Sequence, residues 1–195
     1  MDALEAILTR RSTRKMRPEI PEISLIEKVI EAGRNAPCGS NSQKTHFTVI
    51  TDKSVLDELA VIARESFSQM EVSQDTYVSL RNSILASKKG NYVFHYNAPV
   101  LIVTSSEKSY GNAMADSACA IENMMIAANA LDLGSCYINQ LHWLDEDPSL
   151  REYIAKLGIP SNETITASLI LGYSTDEQPL RTPKTITGNP VTWIM

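Results

Sequence analysis

The spacing of apolar residues predicts three amphipathic helices in the first third of the chain. The first begins after Asp2, a good helix cap, and its apolar face consists of Leu4, Ile7 and Leu8. The second begins at a capping-box sequence at residues 24–27 and ends before Pro37, because the residue before a proline disfavours helical backbone. The third extends from residue 54 to about residue 64.

The rest of the chain alternates between helical and extended patterns. Residues 116–131 are apolar on nearly every face, which predicts a buried helix capped by Gly134. Another helix begins at Asp147 and Pro148 and ends near Gly158. Runs rich in β-branched residues predict strands at 47–51, 98–104 and 165–171. This order has too few strand–helix–strand units for a doubly wound sheet, so it favours a single α+β layered domain over residues 1–195.

Two segments are less regular. Residues 66–92 are dominated by Ser, Gln, Asn and Lys, which predicts short, mobile helices that cover another part of the molecule. Residues 174–195 are rich in Pro and Thr and end in the apolar sequence Val-Thr-Trp-Ile-Met. An apolar end on an extended arm needs a surface to cover it, and the simplest surface is the sheet edge of a partner subunit.

Composition excludes several classes of function. With 18 Lys and Arg against 23 Asp and Glu, the net charge is −5, which argues against nucleic-acid binding. No apolar run approaches the length of a membrane helix, and the acidic N-terminus does not resemble a signal peptide. The three cysteines are odd in number and widely spaced, so we expect reduced thiols and a cytoplasmic location. The histidines are also far apart, so no metal site is expected.

A cluster of arginines follows the first predicted helix. Residues 10–14 read Arg-Arg-Ser-Thr-Arg. Alternate residues of an extended segment point to the same side, so Arg10, Ser12 and Arg14 can converge on one anion. Arginine binds phosphate through a bidentate fork and stays charged at any working pH. The alternative is a solvated cap that interacts with the helix dipole, and these residues alone leave both interpretations open.

Two polar segments supply further candidate ligands. In the first, Ser40, Asn41 and Gln43, with backbone amides freed by Gly39, can hydrogen bond to the polar edge of a planar ring. The alternative is an ordinary turn between a helix and a strand. In the second, residues 133–140 leave the buried helix through small side chains and can present backbone N–H groups to a cofactor. The alternative there is a helix end followed by the start of a strand.

Four segments, taken in order, resemble the FMN-dependent nitroreductase family. They read Arg-Arg-Ser-x-Arg at 10–14, Ala-Pro-x-x-x-Asn-x-Gln at 36–43, Asn-Ala-Pro-Val-Leu-Ile at 97–102 with the stretch 120–136, and Leu-Gly-Tyr at 171–173. The resemblance implies a three-layer α+β sandwich with a mostly antiparallel central sheet flanked by helices. It also implies a homodimer with two FMN molecules at the subunit interface and a C-terminal arm, residues 174–195, that extends onto the partner.

The resemblance further implies roles for individual residues. Arg10 and Ser12 would bind the FMN phosphate and ribityl chain, with Arg11 beside them. Arg14 would lie near the N1/O2 edge of the ring, where a cation stabilises the reduced flavin. Backbone amides of Asn139 and Gln140 would approach N5 and O4. The remaining cofactor-binding candidates are Pro37, Cys38, Ser40 and Asn41, which would reach the flavin bound mainly by the other subunit, together with Gln43, Ile138 and either Arg181 or Lys184 at the phosphate.

Three positions depart from the family's pattern. Cys38 stands where serine is usual, and Lys44 with Thr45 replaces a common Pro-Trp pair. Asn139 and Gln140 replace a glycine-containing pair near N5. The side chain of Asn139 can therefore hydrogen bond to the flavin and shift its potential.

The predicted function is an FMN-dependent oxidoreductase. A hydride would pass from NADH or NADPH to flavin N5 and then to a small acceptor, such as a nitroaromatic or a quinone, in a ping-pong reaction at one open face. No side chain is assigned as a catalytic residue, because the chemistry belongs to the flavin and Arg14 gives electrostatic support. Residues 66–96 and 106–114 would form the lid that selects the acceptor.

Other functions remain open at this point. One is a specialised flavoenzyme of the same family, either a reductive dehalogenase or an enzyme that consumes its own flavin. For such an enzyme, Glu71, Tyr77 and Lys88 would clamp an amino-acid zwitterion. A second alternative is a non-catalytic FMN-binding or redox-sensing protein, and a third is a structural dimer without a cofactor.

Overall fold

The helices and strands follow the apolar pattern in order, with differences at several ends. The computed structural model describes residues 1–175 and 183–195. Within these residues the helices are α1 (Ala3–Thr9), α2 (Ile23–Arg34), α3 (Lys53–Gln69), α4 (Val78–Lys88), α5 (Ala113–Ala130), α6 (Gln140–Trp143) and α7 (Pro148–Lys156). The strands are β1 (His46–Ile50), β2 (Val100–Glu107), β3 (Gly134–Ile138) and β4 (Glu163–Gly172).

The strands form one sheet with apolar layers on both faces. All neighbours are antiparallel in the order β1-β2-β4-β3. On one face, Leu101 and Ile170 belong to a buried cluster that includes side chains of α3 and α7. On the other face, Ile102 and Leu169 pack in a cluster with side chains of α2 and α5, such as Met124. The sheet therefore lies between two helical layers, which is the predicted three-layer arrangement.

The apolar face predicted for α1 lies on the surface of the single chain. Leu4 and Leu8 are 72% and 58% exposed, whereas Ala6 and Thr9 are buried. The reason is a polar contact with α5, because Asn129 Nδ2 donates to Ala6 O at 2.9 Å and to Thr9 Oγ1 at 3.0 Å. These bonds turn the small residues inward and leave the larger apolar side chains on the surface.

Two predicted helix boundaries are also wrong. The capping box at residues 24–27 does not form, because α2 already begins at Ile23 and the Glu22 carbonyl accepts from the backbone N–H groups of Leu25 and Ile26. Helix α3 extends beyond residue 64 to Gln69, and this added turn buries the Phe67 ring. The segment predicted to hold short helices accordingly contains the end of α3 and one regular helix, α4.

Gly134 does not cap α5 as predicted. The left-handed backbone conformation after α5 belongs to Asp132, with a φ of 62°. Gly134 instead begins β3, where a Cβ atom would lie 2.8 Å from Thr13 Cγ2. Its missing side chain allows the segment after α1 to pack against the sheet.

Helix α5 is buried where it packs against the sheet, α1 and α2, and its remaining side is exposed. Ile121 and Met124 are fully buried, but Met114 and Cys119 are exposed. The prediction of burial on every face therefore does not hold within one chain. Across residues 1–175 and 183–195, no helix combines the length and hydrophobicity needed to cross a membrane.

Candidate functional site

A cavity of about 440 Å³ opens where β3 ends and α6 begins. Its wall is rich in aromatic side chains and includes residues of α4, of α6, of the segment after α1 and of the segment before β2. The lining residues are Arg14, Tyr77, Ser79, Asn82, Ser83, Ala86, Tyr92, Tyr96, Tyr137, Ile138, Asn139, Gln140 and Trp143. The cavity brings together Arg14, Ile138, Asn139 and Gln140, four of the residues that the sequence nominates as ligands.

The arginine segment is fixed by backbone bonds to β3. Ser12 and Ser135 form a parallel bridge, and the Thr13 N–H donates to the Ser135 carbonyl at 2.8 Å. This extended backbone delivers the Arg14 guanidinium to the cavity, where its central carbon lies 5.8 Å from the centroid of the Tyr96 ring.

The other two arginines already have partners within the chain. Arg10 Nε lies 3.3 Å from Glu122 Oε1, and Arg11 Nη1 donates to the Arg10 carbonyl at 2.6 Å. Neither residue lines the cavity that contains Arg14. The positive charge available at the cavity is therefore smaller than the sequence cluster suggests.

The thiol of Cys136 lies beneath the arginine segment. Burial raises the pKa of this thiol, while the charge of Arg14, a hydrogen bond with Ser12 and the charge of Arg10 act in the opposite direction. Of these three residues, Arg14 lines the aromatic cavity, so a shared ligand site for Arg10, Ser12 and Arg14 stays a prediction.

Two acceptor oxygens at the end of β3 lack partners. Asn139 Oδ1 and Gln140 Oε1 are buried and have no hydrogen-bond partner in the part of the chain that the structure describes. Gln140 Nε2 donates to Tyr92 Oη at 3.0 Å. A buried acceptor without a partner costs free energy, so these atoms are suited to a ligand that presents hydrogen-bond donors.

The loop after α2 lines a different cavity, of about 420 Å³. Pro37, Cys38, Asn41 and Gln43 line this second cavity, whereas Ser40 does not. Left-handed backbone occurs at Ser40, Asn41 and Gln43, with φ values of 53°, 53° and 49°. Within one chain, the two sets of candidate ligands therefore belong to two separate cavities.

A buried carboxylate holds this loop in place. Asp116 in the first turn of α5 accepts from the Gly39 N–H at 3.2 Å and from the Tyr110 hydroxyl at 2.6 Å. Tyr110 is also 2.7 Å from Ser42 Oγ. A Cβ atom on Gly39 would lie 2.2 Å from Asn112 Nδ2, so a larger residue at this position would displace the Asn112 side chain.

The remaining nominated residues lie elsewhere. Lys184 is exposed and lines neither cavity, and Arg181 lies outside the described residues. Lys88 Nζ is 3.8 Å from Glu71 Oε1, so these two residues pair with each other and do not line the aromatic cavity. Tyr77 does line the aromatic cavity, but the charged groups of Glu71 and Lys88, which a zwitterion clamp requires, do not.

Several functional residues were not found from the sequence. The aromatic wall includes Tyr92 and Tyr96, which are four residues apart, and Trp143, which is distant from both in the chain. Asp116 was interpreted only as the start of an apolar helix. Its isolation among apolar residues was a usable signal, because a buried carboxylate needs hydrogen-bond partners.

Comparison with known proteins agrees with this fold. The model of the nitroreductase family matches residues 7–173. The chain belongs to the nitroreductase family. A crystal structure of a nitroreductase with bound FMN from Bacteroides fragilis is 33% identical, with a TM-score of 0.87 over the full length of both chains.

Two relatives also match this chain in sequence over most of its length. A 4-nitrobenzoate reductase from a Nocardioides species is 28% identical, and the match covers 98% of this chain and 88% of that protein. A protein of Archaeoglobus fulgidus, provisionally named NADH dehydrogenase/NAD(P)H nitroreductase, is 27% identical over 91% of this chain and 88% of its own length. The prediction of a nitroreductase-type α+β fold is thus confirmed.

The carboxylate of Asp116 generates a prediction about the loop. Asp116→Ala removes the acceptor of two buried donors, so we expect the free energy of unfolding to fall by about 1–3 kcal/mol and the Gly39 amide to exchange faster. Urea unfolding and amide hydrogen exchange measure the two effects. Asp116→Asn keeps one oxygen and should have a smaller effect, and equal protection of Gly39 in all three proteins would contradict the proposed anchor.

Proposed function

We propose that the protein is an FMN-dependent oxidoreductase that uses NADH or NADPH to reduce a small organic acceptor. The observation that carries the proposal is the aromatic cavity at the end of β3, which combines a guanidinium with two unpaired acceptor oxygens. Membership of the nitroreductase family and the FMN bound to the Bacteroides fragilis relative support the choice of cofactor.

The residues present fit a flavin. A volume of about 440 Å³ lies within the range of roughly 300–1,000 Å³ typical of small-molecule sites. The buried oxygens of Asn139 and Gln140 suit ring N–H groups, and Arg14 suits a ring edge that gains negative charge on reduction. On the same segment as Arg14, Ser12 and Arg10 remain the candidates for the ribityl chain and phosphate.

When bound, FMN would accept a hydride, two electrons and a proton, from NAD(P)H and return two electrons to the acceptor, with protons drawn from solvent. The protein contributes binding and orientation, because Arg14, Tyr96 and the end of β3 surround one cavity. Helix α4 covers this cavity through Ser79, Ser83 and their neighbours, so we assign it to the lid that selects the acceptor. Nitroaromatics and quinones are the first acceptors to test, and the Nocardioides relative supports the former.

We further propose a homodimer in which the loop at residues 37–43 completes the cavity of the other subunit. The loop and Arg14 belong to separate cavities within one chain, so a shared site requires a second copy. Large apolar side chains on the surface support this arrangement, since monomers rarely leave many exposed together. They include Leu4, Leu8, Ile23, Val191, Trp193 and Ile194. The cytoplasmic location stays a prediction.

An absorbance spectrum tests the proposed function. The purified protein, mixed with FMN and freed of excess, should retain a flavin spectrum that bleaches on anaerobic addition of NADH or NADPH. Subsequent addition of a quinone or a nitroaromatic should restore the oxidised spectrum. Retained flavin that neither donor bleaches would favour the non-catalytic binding protein, and a protein that retains no FMN would contradict the proposal.

A matched pair of variants tests the role of Arg14. Arg14→Ala should raise the Kd for FMN about tenfold, the loss expected for one exposed charge-assisted contact. Lys15→Ala removes a neighbouring exposed charge but keeps the backbone carbonyl that binds Thr175, so its Kd should stay near the wild-type value. Fluorescence titration of FMN measures both, and equal affinities in the two variants would remove Arg14 from the site.

The C-terminal arm can be tested through Trp193, which is 81% exposed in the single chain. If the arm packs on a partner, Trp193→Ala should raise the dimer dissociation constant at least tenfold, because a buried tryptophan contributes about 2 kcal/mol or more to an interface. Ile186→Ala, also exposed and in the same arm, is the control. Sedimentation velocity measures the equilibrium, and a monomeric wild-type protein would refute the dimer.

A further inference from the structure

A chain of hydrogen bonds joins the covering helix α4 to the end of β3. Gln140 Nε2 is 3.0 Å from Tyr92 Oη, and Tyr92 Oη is 2.8 Å from Ser83 Oγ. Ser83 Oγ in turn donates to the Ser79 carbonyl at 3.1 Å. The chain thus ends on a backbone carbonyl within α4.

The end point fixes the direction of every bond in this chain. A carbonyl oxygen can only accept, so the single proton of the Ser83 hydroxyl is used toward Ser79. Tyr92 must then donate its single proton to Ser83, which leaves the phenol oxygen as an acceptor. The atom of Gln140 that faces Tyr92 is therefore the amide nitrogen, and the amide oxygen points the other way.

Burial keeps the chain in this state. Ser83 and Gln140 are 3% and 7% exposed. Burial also raises the pKa of the Tyr92 phenol, so this group stays protonated at neutral pH. The Tyr92 ring packs edge-on against Phe67, with centroids 6.2 Å apart, which holds the phenol in position.

The result is an oxygen-lined edge in the cavity. Gln140 Oε1, turned away from Tyr92, is buried without a hydrogen-bond partner in residues 1–175 and 183–195. Asn139 Oδ1, one residue earlier, has the same property. Both residues line the cavity assigned to the cofactor. A ring placed against this edge is bound best when it presents N–H groups.

We propose that Tyr92 is a positioning residue that holds the Gln140 oxygen toward a ring nitrogen of the bound cofactor and thereby stabilises its reduced form. The inference rests on the proposed function. A hydride from NAD(P)H carries two electrons and a proton to a ring nitrogen, which changes that nitrogen from a hydrogen-bond acceptor into a donor. A fixed acceptor oxygen favours the N–H form and disfavours the form with a lone pair.

Removing the phenol oxygen tests the inference through the midpoint potential of bound FMN. In Tyr92→Phe the amide nitrogen of Gln140 loses its acceptor, so the amide can rotate and present N–H to the ring. The affinity for reduced FMN should then fall about tenfold relative to the affinity for oxidised FMN. For a two-electron couple this is a midpoint potential lower by about 30 mV.

Two serines on α4 form a matched pair for the same measurement. Ser83→Ala deprives Tyr92 of its acceptor, so the phenol can donate to Gln140 and reverse the amide. We expect a lower potential in this variant too. Ser87→Ala removes a buried hydroxyl from the same helix that has no hydrogen-bond partner in the described residues and does not line the cavity, so its potential should equal that of the wild type.

A second measurement needs no cofactor. In the wild type and in Ser87→Ala, nuclear magnetic resonance should show a Gln140 side-chain amide proton that is protected from exchange, and this protection should disappear in Tyr92→Phe. A folded Tyr92→Phe protein with wild-type protection and wild-type potential would overturn the inference while leaving the proposed function intact. A wild-type protein that binds no FMN would instead overturn the proposed function, and the inference with it.

Discussion

The docking of residues 12–17 against the sheet is the constraint on which the candidate site depends. Three backbone bonds hold this segment: Thr13 N–H to the Ser135 carbonyl and Arg17 N–H to the Tyr173 carbonyl, both at 2.8 Å, and Thr175 N–H to the Lys15 carbonyl at 3.2 Å. Gly134 leaves the space that Thr13 occupies. These backbone bonds set the register of residues 12–17 along the sheet. The position of Arg14 at the cavity therefore does not depend on the contacts of its own side chain. A side chain at the start of β3 would move the guanidinium and uncover Cys136 together.

In the docked segment, the three arginines make different contacts. Glu122 neutralises Arg10, and the Arg11 guanidinium binds backbone carbonyls. Arg14 faces an aromatic ring, which attracts a cation but satisfies none of its N–H donors. The guanidinium at the cavity therefore keeps its capacity to bind an anionic group, while its neighbours fix the surrounding backbone. Of the three arginines at residues 10–14, Arg14 is therefore the one that lines the aromatic cavity.

The sequence predicted those features that local patterns control. The β-branched runs became β1, β2 and β4, and the resemblance to the nitroreductase family anticipated the layered sheet. Features that depend on distant partners were missed or misassigned. The exposed face of α1 follows from Asn129 on another helix, and the aromatic wall combines Tyr92 and Tyr96 with Trp143 from a distant segment. Neither carries a periodic signal, because side chains from different segments meet only after the sheet has formed.

The polar groups at the end of β3 are neutral, and the cost of burying a charge explains why neutral groups suit this position. A carboxylate in place of Gln140 would also present acceptor oxygens, but a buried charge carries a desolvation cost of several kcal/mol. The amide, the phenol and the Ser83 hydroxyl supply a directed dipole without that cost, and the Ser79 carbonyl sets their direction. The orientation of the whole hydrogen-bond chain depends on the group at its end. The backbone of α4 therefore helps to determine which atoms face the cavity. The helix that covers the site and the groups that face the ligand therefore cannot move independently.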